Sequence, residues 1–144
     1  MKSRLWALAA VSLLSLPAFA RDTVLHIPLS DVLDLPEAKE KLDPAFKFYL
    51  AGQRAPKVLK RLATDVANPK TNGVGKSDDY GCKWAALSAL IDLQNGAKRH
   101  GANAVVDIVS YYKKVEYKSA IDFECHAGAV IIGVALRGTY ARVK

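Results

Sequence analysis

Residues 79–101, DYGCKWAALSALIDLQNGAKRHG, decide the fold. They predict one long helix over Asp79–His100, with Asp78 or Asp79 as its cap and Gly101 as its stop. With Cys82 at zero and 100° per residue, Cys82, Ala86, Ala89, Leu90, Leu93 and Ala97 share one broad face. Trp84, Leu87 and Ile91 form a second, narrower stripe. Lys83, Gln94 and Lys98 separate the two on one flank, and Ser88, Asp92, Asn95 and Arg99 on the other. A helix with two apolar faces is packed twice. The broad face is expected to cover a sheet. The narrow one is expected to meet the N-terminal segment or another subunit, which makes Trp84, Leu87 and Ile91 the candidate homo-oligomer contact.

The sequence after this helix supplies the sheet. Residues 102–112 form a strand that is apolar on both sides, with Asp107 as its odd member. That carboxylate is either buried with a polar partner or outward-facing at a sheet edge. A polar hairpin, Lys113 to Glu124, leads to a last strand from Cys125 to Arg137. One side of that strand carries Val130, Ile132, Val134 and Leu136. The other carries Cys125, Ala127, Ala129, Ile131, Gly133 and Ala135, mostly small, so the alanine-rich helix face can approach it closely. Cys82 lies on that helix face and Cys125 opens that strand face, so phase and topology bring the two thiols together. A Cys82–Cys125 bond closes a loop worth about 4 kcal/mol in the chain-entropy model. That is a large share of the stability of so small a domain.

Upstream, residues 23–29 read as a short strand in which Pro28 suits an edge or an end, and Ser30 or Asp31 can cap the turn that follows. Residues 36–42 read as a short helix opened by proline. Phe46, Phe48 and Leu50 alternate with Lys47 and Tyr49 as a strand. Residues 57–67 fit a helix by the spacing of Leu59, Leu62, Ala63 and Val66, and a strand by their β-branched residues and position. Residues 68–79 are a polar loop. The expected class is α+β: a single small domain with a β-α-β-β core, one long helix on an antiparallel-rich sheet, and one disulfide.

The chain opens with MKSRLWALAAVSLLSLPAFA. Lys2 and Arg4 precede an apolar run that is too short to span a membrane. Pro17 breaks the run, and Ala18-Phe19-Ala20 is a small-x-small cleavage site. Residues 1–20 therefore read as a secretory signal peptide cut after Ala20, with no cysteine beside the cut for lipid attachment. The expected address is the periplasm, where two cysteines point to a disulfide. Of 21 basic residues, removal of Lys2 and Arg4 leaves 19 against 14 acidic, a net +5. This charge suits an anionic envelope surface. No basic stripe interleaved with aromatics suggests nucleic acid, and no long apolar run follows the leader.

Gly75-Lys76-Ser77 matches the end of the phosphate-loop motif G-x-x-x-x-G-K-[ST]. Its first glycine would fall at position 70, where Lys70 stands. No buried apolar strand precedes it, and Asp78 and Asp79 put negative charge where phosphate would sit. No nucleotide is expected there. His126 and Asp122 are the metal candidates, but adjacent Cys125 and His126 point to opposite faces of a strand, and the three histidines show no paired spacing. No base lies at a diagnostic spacing from a cysteine nucleophile. Tyr111 and Tyr112 with Lys113 and Lys114 could line a surface groove or end a strand. No cofactor and no catalytic set are expected.

The segment Gly101-Ala102-Asn103-Ala104-Val105-Val106 after an alanine-rich helix, followed by Gly128-Ala129-Val130, resembles the YbjQ-like domain family. The order of Cys82, Ala102–Val105 and Cys125–Leu136 is similar to the sensor lipoproteins of the Rcs envelope-stress pathway. The resemblance covers residues 58–138. It implies a β-α-β-β fold, the Cys82–Cys125 disulfide, and a strand for Val58–Ala67. Those sensors carry four cysteines and a lipid anchor where this chain has two cysteines and no lipid-attachment site, so their signalling role does not carry over. With the leader, the expected organisation is a signal peptide (1–20), an N-terminal extension of short strands and a short helix (21–57), the sensor-like α+β domain (58–138) and a C-terminal tail (139–144). The whole chain, with RDTVLH, KTN and GKSDD, also resembles small secreted bacterial proteins labelled excinuclease ATPase subunit. An excision-repair ATPase needs complete nucleotide motifs, zinc cysteines and a cytoplasmic address, and this sequence offers none of them. The reading is a non-enzymatic periplasmic module that binds an envelope partner or serves stress sensing, with a metal- or small-ligand-binding protein as the alternative.

Overall fold

A computed structural model describes residues 21–144; the expected leader and its expected cut after Ala20 fall on residues outside them. The long helix, α3, runs over Asp78–Arg99. Ser77 is its cap: its Oγ accepts from the Tyr80 N–H at 3.2 Å. Asp78 and Asp79, the expected caps, fall in the first turn, where their charge meets the positive end of the helix dipole. Gly101 adopts φ +74° just past the last turn, a conformation that costs glycine little. Every residue of the broad face is buried, from Cys82 to Ala97.

Three elements precede α3 as the alternation and the proline signal anticipate: β1 (Thr23–Pro28), α2 (Pro36–Lys41) and β2 (Lys47–Leu50). A single helical turn, α1 (Leu29–Leu33), lies between β1 and α2 without a side-chain cap, so neither Ser30 nor Asp31 serves as one. The ambiguous segment is a strand, β3 (Val58–Ala67). The polar loop hides another, β4 (Lys70–Asn72). After α3 come β5 (Ala104–Ser110) and a 3-10 turn (Tyr112–Lys114), then β6 (Asp122–Ala127), β7 (Ile131–Gly133) and β8 (Leu136–Val143).

The strands form two four-stranded sheets, β1-β6-β7-β4 and β2-β5-β8-β3. Only the β2–β5 pair is parallel. Strands of both sheets contact α3, and one core runs from Ile27 through the helix to Tyr140. The architecture is α+β. The expected final strand, Cys125–Arg137, is instead three pieces in two sheets. The Gly128 N–H donates to the Ile131 carbonyl at 2.8 Å and reverses the chain, because a Cβ at Gly128 would lie only 2.8 Å from that oxygen. Residues 139–144 are not a tail. All but Lys144 belong to β8, with Tyr140 and Ala141 buried. Residues 21–57 are not an appendage either: β1 pairs with β6, and β2 pairs with β5.

One close approach holds α3 to the second sheet. Tyr140 is buried, and its hydroxyl donates to Asp65 Oδ2 at 2.7 Å. Burial first, and then this bond, hold its phenol well above the ordinary tyrosine range. A Cβ at Gly96 would lie 2.1 Å from the Tyr140 hydroxyl oxygen, so α3 approaches β8 only because position 96 has no side chain. Gly96→Ala is expected to destabilise by about 1–3 kcal/mol, the cost of overpacking, in a denaturant melt. The bond between Cys82 and Cys125, with Cα atoms 5.8 Å apart, joins α3 to β6 inside the core. Replacing both cysteines with alanine should lower stability by about 4 kcal/mol. Reductant should then shift the wild-type unfolding midpoint and leave that of the double variant in place.

Candidate functional site

The alternation of β6 generates the most chemically varied surface. Phe123, Cys125 and Ala127 point into the core, so Asp122, Glu124 and His126 point out. The antiparallel register sets His26 opposite Glu124 and Val24 opposite His126. Glu124 thereby reaches two imidazoles: its Oε1 lies 2.7 Å from His126 Nε2, and its Oε2 lies 3.5 Å from His26 Nε2. The other nitrogen of His126 faces Asp22 Oδ1 at 3.1 Å. A ring with one N–H can donate to only one of these two carboxylates; a ring with two can serve both. Tyr112 stacks on His126 with centroids 3.7 Å apart, and Tyr117 stacks on His26 at 4.5 Å. The Tyr117 hydroxyl donates to Asp122 Oδ1 at 2.8 Å, and that bond, helped by burial, raises its pKa. Each ring is held by a charge partner and by a face-on aromatic.

Beside the Tyr112–His126 stack opens a cleft of about 310 Å3, lined among others by Arg21, Lys70, Lys113 and Ile131. Arg21 builds its wall. Its guanidinium grips Asp78 at 2.6 and 3.1 Å and donates to the Gly128 carbonyl at 2.8 Å. It therefore ties the start of β1 to the first turn of α3 and to the β6–β7 turn. The hydrogen bond from Arg21 holds the Asp78 carboxyl below the usual carboxylate range. Lys113 and Lys114 both adopt left-handed backbone, φ 50° and 63°. The Lys113 ammonium sits 5.6 Å from the Tyr112 ring centroid. A second, apolar cleft of about 260 Å3 lies between α2 and the edge strand β2, floored by Leu42, Phe46 and Phe48.

The residues singled out by sequence divide as follows. Cys82 and Cys125 are disulfide-bonded. Gly75, Lys76 and Ser77 lie in the turn between β4 and α3, where the Ser77 hydroxyl is committed to its cap and Asp78 to Arg21. His126 and Asp122 share the outward face of β6 but take separate partners. Among the described residues, no group of three or more His, Cys, Asp or Glu side chains is arranged to hold a metal ion. Asp107 is exposed, neither buried nor on an edge strand. It sits at φ 52° where the β5–β8 register shifts, and it pairs with Arg61 at 2.6 Å. In the narrow stripe of α3, Leu87 is 1% exposed within this chain, whereas Trp84 and Ile91 are half-buried. α3 also contacts α1.

Arg21, Asp22 and Tyr117 escaped the sequence reading, which noted His26 and Lys70 without giving them a place in this site. The alternation of Asp122, Glu124 and His126 in β6 and of Val24 and His26 in β1 is the signal that could have found the ladder. Comparison with family models, with curated proteins and with solved structures finds no match.

The Arg21–Asp78 pair has a pH signature. A carboxyl with a depressed folded-state pKa stabilises the fold above the ordinary carboxylate pKa of about 4, and the contribution is lost as pH falls through the lowered value. Asp78→Asn should therefore melt below wild type at neutral pH, and the two melting temperatures should converge between about pH 4 and pH 2.

Proposed function

We propose that the chain is an exported, non-enzymatic binding module of the periplasmic side of the cell envelope, recognising an envelope component through the outer face of β1 and β6. The observation that carries this reading is the Tyr112–His126 stack at the mouth of a cleft whose wall is basic. Its imidazoles and carboxylates are bonded to one another, which preorganises a recognition surface with little ordering left to be done on binding. The leader at residues 1–20 supports an exported chain. A disulfide inside the core supports an oxidising compartment. The resemblance of residues 58–138 to the YbjQ-like family and the Rcs sensors supports a role near envelope stress. An excision-repair ATPase has no support, since Ser77 and Asp78 are engaged within the fold and position 70 is lysine.

The cleft also favours a second reading, a small-ligand-binding protein, because a flat aromatic–imidazole stack beside cationic side chains suits a small anionic molecule. Sedimentation with isolated envelopes and native mass spectrometry of protein from periplasm, without reductant, separate the two. The first reading expects a mass that begins at Arg21, two hydrogens lighter than the reduced chain and without adduct. It also expects envelope binding that falls at least about tenfold in Tyr112→Ala and His126→Ala, the scale of a lost recognition contact. A co-purified small molecule lost in the same variants would install the second reading. Two free thiols with a bound metal, or a bound nucleotide, would sink the first.

A further inference from the structure

We infer that the end of the molecule where the β4–α3 loop meets the β6–β7 turn docks on the surface of an anionic phospholipid bilayer. The inference rests on the envelope-binding reading and names the component bound.

The apex of this end is apolar without a packing reason. Val74, Val130 and Ile131 are 60%, 58% and 55% exposed. Val74 and Val130 stand on two loops and Ile131 opens β7; the two segments are held together. The Gly73 N–H donates to the Val130 carbonyl at 2.7 Å, and Asn72 pairs with Ile131 across β4 and β7. Scattered surface aliphatics need no explanation, but three on adjoining segments form a patch. Such exposed positions would accept polar residues without loss to the core, so these side chains are not there for folding.

The rim of the apex carries three lysines, and the carboxylates beside them, Asp22 and Asp79, are paired with His126 and Lys83. Lys76 shares the loop of Val74, and Lys70 and Lys113 line the cleft that Ile131 also lines. Among the described residues, none of these three lysines has a carboxylate within ion-pair distance. Arg21 is already paired with Asp78 and contributes position rather than free charge. Lys113 and Lys114 form a turn closed by the Val115 N–H on the Tyr112 carbonyl at 3.0 Å, and this turn sets Lys113 in the cleft wall. Aliphatic tips ringed by long, flexible ammoniums match the bilayer interface: the tips enter the acyl boundary while the lysine heads stay with the phosphates.

The position of the chain start points to the same surface. Arg21 is bonded to the Gly128 carbonyl in the β6–β7 turn, so the apolar leader joins the domain at this end.

The test is flotation of the chain from Arg21, disulfide intact, with vesicles of phosphatidylglycerol and phosphatidylethanolamine or of phosphatidylcholine alone. The core of the described residues lies within this chain. The chain should partition onto the anionic vesicles at least about tenfold more strongly than onto the neutral ones, with the difference suppressed at 0.5 M salt. Val130→Ser with Ile131→Ser should lower partition about tenfold or more, and Lys70→Gln with Lys113→Gln should remove most of the salt dependence. All four positions are exposed, so melting temperatures should hold. Leu59→Ser, equally exposed but on edge strand β3, should leave partition unchanged. Binding that ignores Val130 and Ile131, or that Leu59→Ser reduces equally, would overturn the inference. Absent vesicle binding with envelope sedimentation retained would make the component a protein, ending the inference but not the envelope-binding reading. Loss of both would end both.

Discussion

The disulfide between Cys82 and Cys125 is the constraint on which the rest of this structure depends, because it fixes phase as well as distance. Cys125 must face α3 to reach Cys82, and a strand alternates with period two, so Glu124 and His126 must face away. A slip of one residue in β6 would turn the polar ladder into the core and set Phe123 in water. The bond that staples the fold therefore also orients the candidate site. It acts near the start of α3, the end that Arg21 grips through Asp78, so the cleft wall inherits its position from the same covalent tie. The opposite end of α3 is fixed differently, by the contact of Gly96 with Tyr140. One end of the helix is held by a covalent bond and the other by a missing side chain.

How far the sequence could be read follows from the range of each signal. The helix and the pairing of its cysteines were legible, because a 3.6-residue period and a two-residue period are local and both persist over many turns. The broken final strand was not. The alternation of Ala127, Ala129 and Ile131 continues through Gly128 as though no turn were there, and only the backbone bond from Gly128 to Ile131 shows the reversal. The strand β4 was hidden for a different reason. Lys70, Thr71 and Asn72 carry no apolar alternation and pair only through backbone at the sheet edge. Helix capping went to Ser77 rather than to the aspartates because the cap is the residue just outside the first turn, and that boundary moves by one residue too easily for sequence to fix.

The site was less legible than the fold because it is an encounter between distant segments. Glu124 and His126 are marked by alternation, but His26 comes from a strand nearly a hundred positions earlier, and Asp22 and Arg21 from the residues before it. Nothing local to RDTVLH states that β1 lies beside β6 or in which register. The boundary at residue 58 is no break between the sheets. Composition and resemblance separate the N-terminal part, whereas β1 and β2 each complete a sheet of the supposed core.

The three residues other than glycine with positive φ help to separate architecture from candidate function. Asp107 has a structural account. It occupies the irregularity between β5 and β8, points outward and is compensated by Arg61, so the fold itself explains its backbone. Lys113 and Lys114 are the two central residues of a turn closed by the Val115 N–H on the Tyr112 carbonyl at 3.0 Å, between the paired Ser110 and Tyr117. What the turn achieves is placement: Tyr112 lies flat on His126 and an ammonium stands at the cleft beside it. The turn sets charge beside an aromatic face, at the end of the molecule where Val130, Ile131 and the Arg21 guanidinium also meet.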